Sequence, residues 1–169
     1  MKRLTAALLS LILAFLPLSG LTTGASERAV SRIKTEYEDG TQDVARYEYD
    51  EDGNQTVYDI HYRDGSTYSA RYFYDQNGVS SGETVSEYDA SQGTLLLTEL
   101  EYAPEGHVSH QKQTLTYSDG LSESSEAWFS DWFSPLKQIS VSTDGSIQQT
   151  DYVYSEDGDL TSVNSSSTT

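Results

Sequence analysis

The sequence predicts an all-β protein, an antiparallel meander of about ten or eleven strands in a single curved sheet or an open barrel. Ten of the 12 glycines lie between residues 40 and 158, and nine of them, all except Gly82, are mostly 12 to 15 residues apart, the length of one strand plus one turn. Residues between these glycines alternate in polarity as half-buried strands do. Helical periodicity is weak after residue 34.

The first predicted elements are the hairpin turns. Seven of the nine glycines follow Asp or Asn, which is typical of a type I turn with glycine in the left-handed conformation and a G1 bulge. Asp50 and Asp75 stand at the first turn position, where a carboxylate accepts a backbone N–H two residues on. The glycines predicted to be structurally required are Gly53, Gly78, Gly106 and Gly158.

A longer motif, Tyr-x-Tyr-Asp-x-x-Gly, stands at residues 47–53 and 72–78, with variants ending at Gly93, Gly106 and Gly158. Successive hairpin turns must lie at opposite ends of the strands, so the repeating unit is a two-strand hairpin of about 25 to 28 residues. This scheme requires a further turn between Gly120 and Gly145. The best candidate is residues 133–137, which contain Pro135.

The strands should have two unlike faces. Thr56, Tyr58, Ile60 and Tyr62 share one parity, and the residues between them are mostly polar. The next strand repeats the pattern, so we expect one tyrosine-rich face and one polar face.

The chain begins with the layout of a secretory signal peptide: two basic residues, an apolar run over residues 4–18 and a small-residue site ending at Ala25. We therefore predict a signal peptide over 1–25, with an uncleaved anchor as the alternative. A hairpin-repeat domain over 26–163 and a flexible Ser/Thr tail over 164–169 follow. The expected location is secreted or extracytoplasmic, in the periplasm or at the cell surface.

Charge and composition exclude several classes of function. The formal net charge is −17, and it becomes −19 after removal of 1–25, which carries Lys2 and Arg3 but no acid. Such a surface repels nucleic acid and anionic lipid. The chain has no cysteine, so disulfides and thiol chemistry are excluded.

The motif resembles the YD or RHS-type repeats of bacterial secreted and surface proteins, and the likeness covers most of residues 35–163. The resemblance implies a strip of antiparallel hairpins in an extracytoplasmic setting and supplies no catalytic residue. The arginine that often follows the family's glycine is absent, the chain is short for a closed shell, and it has no toxin or autoprotease segment. Convergence on the same hairpin chemistry is the alternative.

Two metal hypotheses follow from acids and histidines. Carboxylates at alternate positions in residues 50–54 and 156–159 could share a weak calcium ion between neighbouring turns. The glycine spacing, however, is not that of a helix-loop-helix calcium site. A solvated turn is the simpler interpretation. His107 and His110 would face opposite sides of a strand, which favours surface histidines over a metal pair. We predict no cofactor and no metal.

One aromatic segment departs from the repeat: it holds Trp128, Phe129, Trp132 and Phe133. Exposed rings at these positions would suit sugar rings or a partner's apolar side chain, and the alternative is that they fill the end of the sheet. With no nucleophile motif, the sequence predicts a secreted, non-catalytic interaction or structural protein, its partner an unknown protein or glycan at the cell surface. The alternative is a glycan- or small-ligand-binding module using this aromatic cluster.

Overall fold

The computed structural model describes residues 32–131 and 134–169, which form one antiparallel sheet of 11 strands. In chain order the strands are β1 (Arg32–Glu36), β2 (Gln42–Tyr49), β3 (Gln55–His61), β4 (Thr67–Tyr74), β5 (Ser80–Asp89), β6 (Thr94–Tyr102), β7 (Val108–Thr116), β8 (Ser122–Phe129), β9 (Pro135–Val141), β10 (Ile147–Tyr154) and β11 (Leu160–Thr168). Each strand pairs with its neighbours in the chain, and β1 does not pair with β11. The predicted all-β meander is therefore confirmed as an open sheet. No helix occurs in the described ranges.

The turns are built as the sequence predicts. All nine glycines have positive φ, from 65° to 89°. In the turn between β2 and β3, the Asp50 N–H donates to the Asn54 oxygen at 2.9 Å, and the Gly53 N–H donates to the Asp50 oxygen at 3.2 Å. The Asp50 carboxylate accepts the Asp52 N–H at 3.0 Å, as expected. Gly93 closes a longer loop, with its N–H bonded to the Asp89 oxygen at 2.8 Å.

The turns also alternate between the two ends of the strands. We call the end that carries the turns after β2, β4, β6, β8 and β10 the motif end. The glycines predicted to share this end do so: Gly53, Gly78, Gly106 and Gly158. A two-strand hairpin is therefore the repeating unit.

Register shifts occur only at the motif end of the described sheet. They fall at the end of the first strand of each hairpin, before Tyr49, Tyr74, Tyr102, Phe129 and Tyr154. The residue left over on the partner strand is Ser or Thr in four of these five bulges. At two of them the hydroxyl bonds back across the bulge: Ser109 donates to the Glu101 oxygen at 3.2 Å, and Thr161 to the Val153 oxygen at 2.9 Å. Because bulges increase local twist, the motif end should be the more strongly twisted end.

The turn in the altered repeat lies at the motif end, as predicted, but it uses other residues. The chain reverses between Phe129 and Pro135, where the Ser130 N–H donates to the Ser134 oxygen at 3.0 Å. The predicted turn over 133–137 is therefore wrong, since residues from Pro135 onward belong to β9. The physical reason is Asp131, whose carboxylate accepts the Ser134 N–H at 2.9 Å. Proline has no backbone N–H to donate, and at the first position of a strand the pairing does not require one.

The C-terminal boundary also differs from the prediction. The expected tail over 164–169 is mostly the second half of β11, which pairs with β10 as far as Thr168. Ser and Thr suit this strand because their hydroxyls can bond across it, as Thr150 and Ser165 do at 3.1 Å. The predicted signal peptide, 1–25, lies outside the described residues.

No second layer covers either face of the described sheet. Its buried apolar side chains are Ala70, fully buried, and Val85, 9% exposed. Tyrosines surround them: the rings of Tyr47 and Tyr58 stack at 4.8 Å, and Tyr58 and Tyr68 meet at 5.7 Å. This confirms a tyrosine-rich face, which we call the tyrosine face. Its apolar core is a single patch at the centre of β2 to β5.

Two tyrosines tie neighbouring hairpins together at the motif end. The Tyr74 hydroxyl donates to the Gln55 oxygen at 2.8 Å, and the Tyr154 hydroxyl donates to the Pro135 oxygen at 2.9 Å. Both tyrosines end the first strand of a motif hairpin, and both acceptors begin the strand before it. In these two repeats the last tyrosine of the motif therefore links one turn to the next.

We predict that Gly53→Val destabilises the protein by about 1 to 2 kcal/mol or more, because φ at this position is +87° and L residues avoid that region. No atom lies within 4 Å of a β-carbon built there, so the loss would come from backbone conformation and not from a clash. Gly53→Asn is the control and should restore most of the stability, since Asn tolerates this conformation. Thermal unfolding measures both variants, and an unchanged Tm in Gly53→Val would refute the turn assignment.

Acid should weaken the turns. The Asn54 side chain bonded to Asp50 lowers the pKa of that carboxyl, and the Val79 N–H does the same for the pKa of Asp75. A carboxyl with a lower pKa in the folded state adds stability above its unfolded pKa, about 3.9, and loses it as pH falls through the folded pKa. We expect a nearly constant Tm from about pH 7 to about pH 5 and a fall below about pH 4.

The variant Asp50→Asn/Asp75→Asn should show a smaller loss of Tm in acid, because neither amide titrates. Glu51→Gln removes an exposed acid from the same turn and serves as the control, with the acid transition of the parent. Equal acid sensitivity in the parent and the double variant would contradict a role for these two carboxyls.

Candidate functional site

Trp128, the first ring of the aromatic segment, lies on the face opposite the tyrosine face, which we call the mixed-charge face. Trp128 of β8 is flanked by His110 of β7 and Lys137 of β9 in one cross-strand row. Its ring stacks on His110 with centroids 4.9 Å apart and planes 20° apart, and the Lys137 ammonium lies 5.4 Å from its centroid. His110 and Lys137 belong to the strands on either side of β8, so the Trp128 ring has a neighbouring side chain from each strand.

Carboxylates hold the histidine of this row in place. A ring nitrogen of His110 lies 2.9 Å from a carboxylate oxygen of Glu126, and the other lies 3.6 Å from Glu101. The side chain of His110 is 22% exposed. These contacts and the stacked ring make the row a compact polar and aromatic cluster on a sheet that has little other packing.

The four predicted ligand-binding aromatics do not form one described surface. Trp128 and Phe129 are consecutive residues of β8, so their side chains point to opposite faces of the strand. The register shift of the β8–β9 hairpin falls between them. Trp132 and Phe133 lie outside the described residues. The packed environment of Trp128 accords with the alternative reading, in which aromatic bulk fills the end of the sheet.

The histidine prediction was wrong in one respect. His107 is buried, at 7% exposed, and His110 is largely covered, so they are not surface histidines. Sequence parity cannot reveal such burial, because His110 is covered by residues of neighbouring strands.

The Asp-rich turns direct their carboxylates at their own backbone. One Asp50 oxygen accepts the Asn54 N–H at 2.8 Å, and one Asp75 oxygen accepts the Val79 N–H at 2.9 Å. Across residues 32–131 and 134–169, no three His, Asp or Glu side chains are grouped so as to hold a metal ion. The geometry therefore offers no support for a shared calcium ion.

Sequence reasoning missed the carboxylate at the centre of the tyrosine face. Glu83 of β5 pairs with Tyr72 of β4 and Leu100 of β6. Burial raises the pKa of Glu83, and a hydrogen bond from Tyr102 offsets part of that rise. Burial also raises the pKa of Tyr68 to about 12. Extending the parity argument one strand further, across the turn at Gly78, would have placed Glu83 among the tyrosines.

The two faces differ in charge as well as in aromatic content. Following the register from strand to strand puts every strand-borne Lys and Arg of the described sheet on the mixed-charge face: Arg32, Lys34, Arg46, Arg71, Lys112 and Lys137. The strands of the tyrosine face carry acids at Asp43, Glu83, Glu87, Asp89 and Glu123.

The mixed-charge face pairs several of its acids with its own arginines and lysines. Asp59 bonds Arg71 at 2.7 Å and lies 3.9 Å from Arg46. Burial acts to raise the pKa of Asp59, but the hydrogen bonds from Arg71 and Ser69 outweigh it, and the pKa is lowered. An outside cation would therefore have to compete with arginines already in place on this face.

Two depressions on the sheet are open to solvent. One lies on the mixed-charge face around Arg46 and Asp59, and the other lies at the motif end between the turns that hold Asp50 and Asp75. A molecule bound at either would remain in contact with water. The described residues also contain no helix of the length and hydropathy required to span a bilayer.

No protein-family model matches this chain, and a search of curated proteins finds no match either. The functional argument therefore rests on the geometry of the sheet. The likeness of the motif to YD or RHS-type repeats stays a prediction from the sequence.

We predict that Trp128→Ala lowers stability by about 1 to 2 kcal/mol, because it removes the stack on His110 and the contact with Lys137. Trp128→Phe should lose less, since it keeps an aromatic ring. Leu95→Ala changes a residue of the same face that is 39% exposed, and serves as the control. Equal losses for Trp128→Ala and Leu95→Ala in thermal unfolding would contradict a packing role for Trp128.

Proposed function

We propose that this protein is a secreted, non-catalytic interaction module of the bacterial cell surface or periplasm, built from YD/RHS-like hairpin repeats. The observation that carries the proposal is the single-layer sheet, which leaves two chemically different faces open. A protein that only needed to be stable would gain by covering its apolar face with a second layer.

The size of the faces supports this function. Eleven strands about 4.8 Å apart and about 25 Å long give each face roughly 1,200 Å². A standard protein–protein interface buries about 800 Å² on each partner. One face is therefore large enough to hold a protein partner without help from loops.

The shape of the sheet also supports a function without catalysis. Enzymes usually exclude water from the reacting groups in a recessed pocket. The two depressions described above are open, and the ring of His110 is already in contact with Trp128 and with the Glu126 carboxylate.

The alternative, a glycan- or small-ligand-binding module that uses the aromatic cluster, is less favoured. Sugar recognition needs a free ring face, and the Trp128 ring is already stacked on His110 and lies beside the Lys137 ammonium. Because Trp132 and Phe133 lie outside the described residues, sugar binding by these two rings stays a prediction from the sequence.

Fractionation of bacterial cells that express the full chain tests the proposed location. We expect the protein outside the cytoplasm, with Ser26 as its N-terminal residue, because 1–25 has the layout of a cleaved signal peptide. Cytoplasmic retention would contradict the proposal.

Co-sedimentation of the exported protein with isolated cell envelopes tests the interaction itself. Ser124→Lys and Ser125→Lys form a matched pair, because these neighbours in β8 face opposite sides of the sheet and receive the same change. We expect saturable binding that one substitution abolishes and the other leaves intact. Absence of binding, or equal loss with both substitutions, would argue against a function carried by one face.

A further inference from the structure

The tyrosine face has a charge pattern that its own residues do not neutralise. Its described strands carry acids and no Lys or Arg, whereas on the mixed-charge face Glu48, Asp59 and Glu99 each lie beside an arginine or lysine of that face. The segregation is complete along the strands, although the chain contains 10 basic residues. A face of this kind is electrostatically complementary to a cation.

The strongest candidate position on this face is Glu83. Its carboxylate is half-buried, accepts a hydrogen bond from Tyr102 and lies opposite Tyr72. The charges of Glu83 and Glu87 are both close enough to act on the Tyr68 hydroxyl. A carboxylate surrounded by tyrosine rings combines the two groups that hold a cationic side chain, an opposite charge and an aromatic face.

The protein already places a cationic side chain on a tyrosine ring once within itself. At the corner of the same face, the guanidinium of Arg63 lies 4.3 Å from the ring centroid of Tyr37. The Tyr37 hydroxyl donates to Asp43 at 2.6 Å, and the Arg63 backbone N–H donates to the same carboxylate at 2.8 Å. A tyrosine ring thus contacts the guanidinium of an arginine supplied by a turn, and an acid holds the backbone of that arginine, whereas no turn within the described residues supplies a cation at Glu83.

We propose that the tyrosine face binds a lysine- or arginine-rich polypeptide segment, with a cationic side chain placed over the rings of Tyr68 and Tyr72 and paired with Glu83. The inference rests on the proposed function as an interaction module and names the face and the chemistry of the partner. An extended basic segment fits because side chains on one side of it can reach several acids of a flat sheet.

Other occupants fit the face less well. Nucleic acid and anionic lipid carry the same sign of charge as the acids. A second copy of the chain bound through its own tyrosine face would bring acid against acid, and one bound through its mixed-charge face would present arginines that Asp59 already holds. A neutral glycan could stack on the rings but would leave the half-buried Glu83 without a counter-charge.

Fluorescence anisotropy with two labelled peptides tests the proposal, one alternating Lys and Ser and the other alternating Glu and Ser. The exported protein should bind the first and not the second at physiological ionic strength. Glu83→Gln should weaken binding about five-fold, since it removes one partly buried charge partner. Glu99→Gln is the matched control, because it makes the same change on the mixed-charge face of the next strand, and it should weaken binding less than about two-fold.

The aromatic part of the site has its own pair of variants. Tyr72→Phe keeps the ring and should bind the Lys-Ser peptide as the parent does, whereas Tyr72→Leu removes the ring and should weaken binding about three-fold. Thermal unfolding of each variant checks the fold. Glu83→Gln should keep or raise the Tm, because the amide avoids the burial cost of the carboxylate.

Three outcomes would overturn the inference: equal weakening by Glu83→Gln and Glu99→Gln, equal binding of the two peptides, or no peptide binding. If a neutral oligosaccharide competes with the peptide, a glycan replaces the basic segment as the occupant of the face. If Glu83→Gln strengthens self-association, a second copy of the chain replaces it. If the peptide experiments fail but the protein is exported and binds envelopes through one face, the proposed function stands and only this inference is lost. Cytoplasmic retention would remove the proposed function instead.

Discussion

The backbone hydrogen-bond ladder between chain neighbours is the interaction on which this structure depends. Among the described residues only Ala70 and Val85 are buried apolar side chains, so no hydrophobic core can organise the sheet from the inside. Each strand instead contacts the strand before it and the strand after it. Cohesion is therefore nearly one-dimensional, as in repeat proteins, and each hairpin depends on its own turns.

This dependence explains why the turns are so uniform. A slip of one residue in any hairpin would move its whole tyrosine set to the other face. The left-handed glycines, the acids that bond the turn backbone and the bulges of the motif end together set the register of each hairpin. Tyr74 and Tyr154 add a bond from one motif turn to the preceding strand, which relates neighbouring hairpins. The chemical difference between the two faces follows from this precision of register.

Much of the fold could be predicted because its rules are local. A glycine after an acid predicts a turn, and alternating turns require the two ends of the sheet that the structure shows. The incorrect predictions lie where another interaction competes with the local rule. Pro135 suggested a turn residue, but Asp131 sets that turn and leaves the proline to begin a strand. The Ser/Thr tail suggested loss of structure, but an available neighbour, β10, pairs with it.

The sequence by itself determined the hairpins, the alternation within each strand and the excess of acid, because these depend on residues close together in the chain. Only the tertiary structure decided that the sheet stays open, that His110 and Trp128 stack, and that Glu83 lies among tyrosines of other strands. The physical reason is that cross-strand neighbours depend on the summed lengths of successive turns and bulges. A small uncertainty at each turn leaves a strand recognisable but hides which side chains it meets.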